Sequence, residues 1–157
     1  MQVLGLRRNA HLGPVSGVDR MYAPDELHAF LSASDFVVVT APLTAETDGL
    51  LGEPEFRAMK DTGYYVCISR GGVGDPTALE RALREGWIAG AGLDAHAEEP
   101  LSGHSPFWDL PNTIVTPHNG ATSPQTMQRG VDIFADNLRR FVRGEPLTNL
   151  VDTSAGY

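Results

Sequence analysis

The chain has 157 residues, 41% of them hydrophobic and 20% charged, the balance of one globular domain with enough length to bury a core. Its formal net charge of −8 argues against a nucleic acid or an anionic membrane surface as partner. No apolar run reaches the roughly 18 residues of a membrane span, and the segment Met1–Arg8, with its charges after the apolar run, lacks the order of a signal peptide. Cys67 stands alone, which excludes an internal disulfide and favours a reducing, cytoplasmic setting.

In chain order, Val3–Leu6 reads as a strand ending in Arg7-Arg8. Pro24-Asp25-Glu26-Leu27 opens a helix through about Leu31, and the run Phe36–Val39 follows as a strand stopped by Pro42. A helix is expected near Glu53–Lys60, then a buried strand over Tyr64–Ile68 and a turn over Gly71–Gly74. Asp75 supplies an N-cap and Pro76 the first helical position of a helix continuing through Thr77–Glu85, which Gly86 ends. Ile88–Leu93 and Thr113–Val115 are two more short strands. An amphipathic helix runs from about Pro124 to Val142, with Val131, Phe134, Leu138 and Phe141 on one stripe that serves as core or interface. The domain is taken as residues 1–147, and Thr148–Tyr157 as a tail that is loose or docks on a partner.

Strand–helix alternation with short connections predicts an α/β fold with a mainly parallel sheet. In such sheets ligands sit beyond the carboxyl ends of the strands. Arg7-Arg8, Thr40-Ala41-Pro42, Ser69-Arg70-Gly71, Asp94 and Pro117-His118 all fall at such ends, so the chemistry-bearing residues are expected on one rim.

Three of them form a coherent set. Arg70 can hold a carboxylate through a fork of fixed donors and keeps its charge at any ordinary pH. His118 is a natural proton donor and acceptor near neutrality, and a carboxylate such as Glu99 beside it would fix its tautomer and favour the protonated ring. Such a trio suits reversible reduction of a 2-oxo acid. Set against it are plainer roles: a surface salt bridge for Arg70 and a structural histidine at His118. Cys67 reads as an inert core thiol and Glu98 as a solvated neighbour of Glu99. His11, His28, His96 and His104 lack any ligand spacing, so no metal is expected.

Four segments occur in order: Asp35–Thr47 (DFVVVTAPLTAET), Ser69-Arg70-Gly71-Gly72 with Asp75 after it, Leu93-Asp94 leading to Glu99-Pro100, and Thr116-Pro117-His118. Together they resemble the successive signatures of the D-isomer-specific 2-hydroxyacid dehydrogenases, over roughly residues 1–150. The resemblance implies an incomplete doubly wound Rossmann-type parallel sheet flanked by helices. It also implies Arg70 as substrate-carboxylate anchor, His118 as acid/base and Glu99 as its partner. Asp94 would bond the nicotinamide carboxamide, and Thr40, Pro42, Ile68 and Gly120 would line the cofactor. The chain departs from the family at Thr40, where histidine is usual, and at Cys67, where asparagine opens an Asn-x-x-Arg run. At the end of the first strand an acidic residue normally takes the ribose 2′-hydroxyl. Arg7-Arg8 stands there, which favours a 2′-phosphate and so NADP over NAD, unless the pair is only an exposed strand end.

The family's Gly-x-Gly-x-x-Gly loop, with its strand and helix, would precede Met1, and a substrate domain would surround the nucleotide domain in sequence. Gly90-x-Gly92-x-x-Ala95 matches the loop formally, but His96–Pro100 cannot open a helix packed on the sheet, and Gly72-x-Gly74 has Thr77 at the third position, so both read as strand and turn glycines. Without the central strand, the pair Val3–Leu6 and Phe36–Val39 is expected to stand apart from the other strands, with two ladder edges exposed. Three readings therefore stay open: a truncated or separately encoded dehydrogenase domain, a non-catalytic nucleotide-binding or oligomerising remnant, and a fragment with no independent role. The partners expected are a small 2-oxo or 2-hydroxy acid and either a second copy or a complementing chain.

Overall fold

The computed structural model describes residues 1–153, which fall into two units, Met1–Pro117 and His118 onward. Residues 154–157 of the expected tail lie outside the described residues.

The first unit is α/β throughout. Its elements in order are β1 (Leu4–Leu6), β2 (Arg20–Tyr22), α1 (Leu27–Ala33), β3 (Phe36–Val39), α2 (Glu53–Ala58), β4 (Tyr64–Cys67), α3 (Pro76–Arg84), β5 (Gly90–Leu93) and β6 (Thr113–Val115). β3, β4, β5 and β6 form a four-stranded parallel sheet in that order. β1 and β2 form a separate parallel pair.

One expectation about pairing is overturned. Val3–Leu6 does not stand with Phe36–Val39: β1 pairs with β2, and β3 pairs with β4. The partner of β1 was invisible in the sequence because Arg-Met-Tyr is too short and too polar to read as a strand, with only Tyr22 fully buried. Open edges are present on β1 and β3, as on β2 and β6, since each of these strands has one partner among the described residues.

Local chemistry explains the helices. In α3 the Asp75 carboxylate accepts from the Ala78 N–H at 2.7 Å, Pro76 takes the first position, and Gly86 follows the last turn at φ 71°, a left-handed conformation that glycine adopts without strain. α2 starts where Glu55 reaches back to the Gly52 N–H at 3.0 Å. The expected helix from Pro24 begins as a single 3-10 turn, Pro24–Glu26, before α1. Leu31 of α1, Phe56 of α2, and Leu79, Ala82 and Leu83 of α3 cluster with Val37, Val39, Tyr65, Cys67, Ala91 and Leu93 of the sheet. Phe56 meets the Tyr65 ring edge-on at 5.4 Å. Burial pushes the Tyr65 phenol far above its usual range.

The second unit is dominated by α4, Pro124–Arg143. Its predicted stripe, Val131, Phe134, Leu138 and Phe141, is exposed along its whole length. Thr148 is held on this helix by Asn137, whose side chain donates to the Thr148 carbonyl at 3.0 Å and accepts from its N–H at 2.8 Å. None of the helices in the described residues is long and apolar enough to cross a membrane.

Candidate active site

Parallel register places the rim. Val39, Cys67, Leu93 and Val115 are cross-strand partners in one row, so Thr40, Ile68, Asp94 and Thr116 leave the sheet side by side. Four of the segments singled out in the sequence thus meet at one edge. The connections between them are tight. The Ile68 N–H donates to the Val39 carbonyl at 3.4 Å, the Asp94 N–H to the Cys67 carbonyl at 2.9 Å, and the Thr116 N–H to the Leu93 carbonyl at 2.9 Å.

Beyond this edge Arg70 and Glu99 line one cleft of about 440 Å³, together with Asp48, His96 and the Gly71-Gly72 backbone. Arg70 is exposed, and its Nη1 donates to the Ser69 carbonyl at 2.8 Å. That bond uses one of the guanidinium's five N–H donors. Glu99 Oε1 accepts from the His96 backbone N–H at 2.9 Å. Asp94 is only 8% exposed, and its Oδ1 accepts from the Thr116 hydroxyl at 2.6 Å, so a buried carboxylate is stabilised at the end of β5. Gly71 is obligatory here for contact rather than for φ: a Cβ on it would lie 2.0 Å from the His96 carbonyl carbon.

The β3 end is organised by Thr47, whose hydroxyl donates to the Pro42 carbonyl at 2.6 Å. Thr40 and Pro42 are both exposed there. At the β1 end, Arg7 Nη2 donates to the Gly13 carbonyl at 2.8 Å, while its Nε is buried without an acceptor. Arg8 pairs with Glu46 at 2.6 Å, both side chains being well exposed, which ties the end of β1 to the loop after β3. His118 and Gly120 belong to the second unit, where His118 takes a left-handed conformation at φ 51°, uncommon for a residue with a side chain.

Residues 1–120 match the model for the D-isomer specific 2-hydroxyacid dehydrogenase, NAD binding domain. The chain belongs to this family. Glyoxylate reductase of Korarchaeum cryptofilum is 45% identical over 131 residues, and that of Pyrococcus horikoshii is 44% identical over 126 residues. The matches cover 83% and 80% of this chain but only 39% and 37% of the two relatives. Among solved structures, the NADPH-dependent glyoxylate/hydroxypyruvate reductase from Sinorhizobium meliloti, in complex with NADP and sulfate, superposes with a TM-score of 0.90 at 34% identity. It covers 99% of this chain and 49% of that one. A probable 2-hydroxyacid dehydrogenase from Rhizobium etli, in complex with NADP, gives 0.84 at 34% identity, with 99% and 49% covered. The Rossmann-like parallel sheet flanked by helices is therefore the fold of the 2-hydroxyacid dehydrogenases.

Within this family domain, the bonds made by two rim residues had no signal in the sequence. Thr116 bonds Asp94 through its side chain and His96 through its carbonyl, and His96 touches both Thr116 and Glu99. Thr116 lies 20 positions from His96 and 22 from Asp94, so only the register of β5 and β6 brings them within reach.

Proposed function

We propose that this chain is the nucleotide-binding part of an NAD(P)-dependent reductase of small 2-oxo acids, glyoxylate or hydroxypyruvate among them. The observation that carries the reading is Arg70 and Glu99 lining one cleft at the carboxyl rim of the sheet, in a domain of this family. A bound nicotinamide dinucleotide supplies the hydride. Arg70 anchors the substrate carboxylate through its fork of donors. His118 gives a proton to the carbonyl oxygen, so that hydride and proton together yield the 2-hydroxy acid. Glu99 holds the imidazole in its tautomer and favours the protonated ring. Asp94 accepts from the nicotinamide carboxamide, and Thr40, Pro42, Ile68 and Gly120 line the cofactor.

The residues fit an anionic dinucleotide on chemical grounds. Arg7 Nε is buried and lacks an acceptor that an anionic oxygen at the β1 end would provide, and Arg8 could exchange Glu46 for it. NADP is accordingly preferred over NAD. Calorimetric titration of the chain with NADPH and NADH reads that preference. Arg7→Asp with Arg8→Ala abolishes it, and an unchanged ratio of affinities refutes the assignment.

The catalytic roles are read from oxidation of NADPH with glyoxylate and hydroxypyruvate, by the chain alone and with a complementing chain. His118→Ala lowers turnover by about 10²–10⁴-fold. Arg70→Ala chiefly raises KM for the acid. Glu99→Gln is milder and moves the alkaline limb of reduction to lower pH, because loss of the negative charge disfavours the protonated ring that reduction needs. A limb that stays in place or moves up separates Glu99 from His118.

A second reading rests on the open strand edges and on the uncovered face of the sheet, where Phe36 and Ile114 are 65% and 71% exposed. On it the chain is an oligomerising or complementing module, a dimer or a partner of a second chain. Light scattering that finds a monomer at all concentrations, with no association on adding a complementing chain, excludes this reading.

A further inference from the structure

His96 stands in the loop after β5, where neither the family resemblance nor the trio of Arg70, Glu99 and His118 assigns it a role. It is half-buried, and its two polar ends work in different directions. The backbone N–H donates to Glu99 Oε1 at 2.9 Å. The ring Nε2 lies 3.0 Å from the Thr116 carbonyl oxygen. A carbonyl only accepts, so this contact is a hydrogen bond only if Nε2 carries the proton.

The neighbours of His96 are themselves fixed. Thr116, which receives the ring, gives its hydroxyl to Asp94 at 2.6 Å. On the other side the backbone of Gly71 presses so closely on His96-Ala97 that a Cβ on Gly71 would sit 2.4 Å from the His96 Cα and 2.3 Å from the Ala97 nitrogen. Three rim segments therefore converge on one residue: the turn after Arg70, the loop that carries Glu99, and the end of β6. The alternative, a surface histidine with an incidental contact, does not require either the tautomer or the convergence.

We propose that His96 is a positioning residue: its ring bond to Thr116 pins the 95–99 loop to the end of β6, and the pinned backbone presents the Glu99 carboxylate to the cleft it shares with Arg70. The kinetic consequence rests on the reductase reading; the structural role does not. The partner of the ring is the Thr116 carbonyl and that of the backbone N–H is Glu99, so the effect of the ring on catalysis runs through Glu99. Loss of the ring donor leaves Arg70 in place and so affects turnover more than substrate capture.

The test uses the full chain. Nitrogen-15 NMR of its histidines is expected to find His96 with the proton on Nε2. His96→Phe keeps the ring bulk and removes the donor, whereas His96→Gln keeps an N–H donor at about the same reach. Amide hydrogen exchange at residues 96–99 should be about fivefold faster in His96→Phe, near the original rate in His96→Gln, and unchanged at Tyr65 and Leu93 in both. In reduction of glyoxylate, His96→Phe should lower kcat several-fold with KM within about twofold, and His96→Gln should restore it. A proton on Nδ1 alone, unaltered exchange in His96→Phe, or equally fast exchange in both variants overturns the proposal, the first of these even if neither variant folds. The expected exchange pattern in a chain that reduces no 2-oxo acid, alone or with a complementing chain, sinks the reductase reading and leaves the positioning role standing. An active chain whose kcat ignores His96→Phe sinks the kinetic part of the proposal alone.

Discussion

The two faces of the four-stranded sheet come from the same strands and differ in what covers them. On one face Val37, Val39, Tyr65, Cys67, Ala91 and Leu93 disappear beneath α1, α2 and α3. On the other, Phe36, Val38, Tyr64 and Ile114 are exposed, with Phe36 stacked on Tyr64 across the strands at 5.3 Å. A sheet designed to meet water on one side alternates apolar with polar residues, whereas strands buried on both faces read as continuous apolar runs. Phe36-Val37-Val38-Val39 is of the second kind. The open face thus has the chemistry of a buried one, and the comparison between faces is a comparison between burial achieved and burial encoded.

The largest expected effect lies on the covered face. Phe56→Ala empties a site at full burial and should destabilise the chain by about 3–5 kcal/mol in urea, while Phe36→Ala should lose only about 1 kcal/mol from its stacked pair. Equal losses would mean that the open face is covered in solution. Gly71→Ala comes next, at about 1–3 kcal/mol or more, because the added methyl meets backbone that cannot swing aside. It should also accelerate amide exchange in the 95–99 loop, and a variant as stable and as protected as the original would separate the two segments.

Tyr65 gives the covered face a pH signature. Burial raises its phenol above the ordinary value of 10.0, so the unfolded chain ionises first as the solution becomes alkaline. Its contribution to stability is intact below that value and is lost as pH rises past it, by about 1.4 kcal/mol per pH unit. Tyr65→Phe removes this dependence, and denaturation midpoints between pH 9 and 11, roughly the span around that ordinary value, measure the difference. An unchanged slope would place the phenol in contact with water. The smallest effect belongs to the open face: Val38→Thr with Ile114→Thr should shift stability by less than about 0.5 kcal/mol each while weakening any self-association seen by light scattering. A substantial loss of stability with no change in association would show that the face is closed within one chain.

Much of the first unit was legible before its coordinates. Asp75-Pro76 and Gly86 bracket α3 because a side-chain acceptor, a fixed φ and a left-handed residue act locally, within a few positions of the chain. Phe36–Val39 and Tyr64–Cys67 were legible as strands because β-branched and aromatic runs fit a pleated surface wherever they occur. β2 was not, since Arg20–Tyr22 owes its pairing to β1 and carries no run of its own. Of the residues that line the cleft, Arg70 and Glu99 were singled out from residue type and order, while the bond from Thr116 to Asp94 was not.

By itself, then, the sequence determined the elements other than β2, the caps of α3, the carboxyl-end placement of the chemical groups, and the family to which the chain belongs. Tertiary structure alone decided which strand pairs with which, how Gly71 fits against His96, and how Asp94, Thr116, His96 and Glu99 join across two strand ends. Propensity and capping are properties of neighbours along the chain. Register is a collective choice among distant segments, and a shift of one residue in β6 would turn Ile114 to the other face and move the Thr116 hydroxyl away from Asp94.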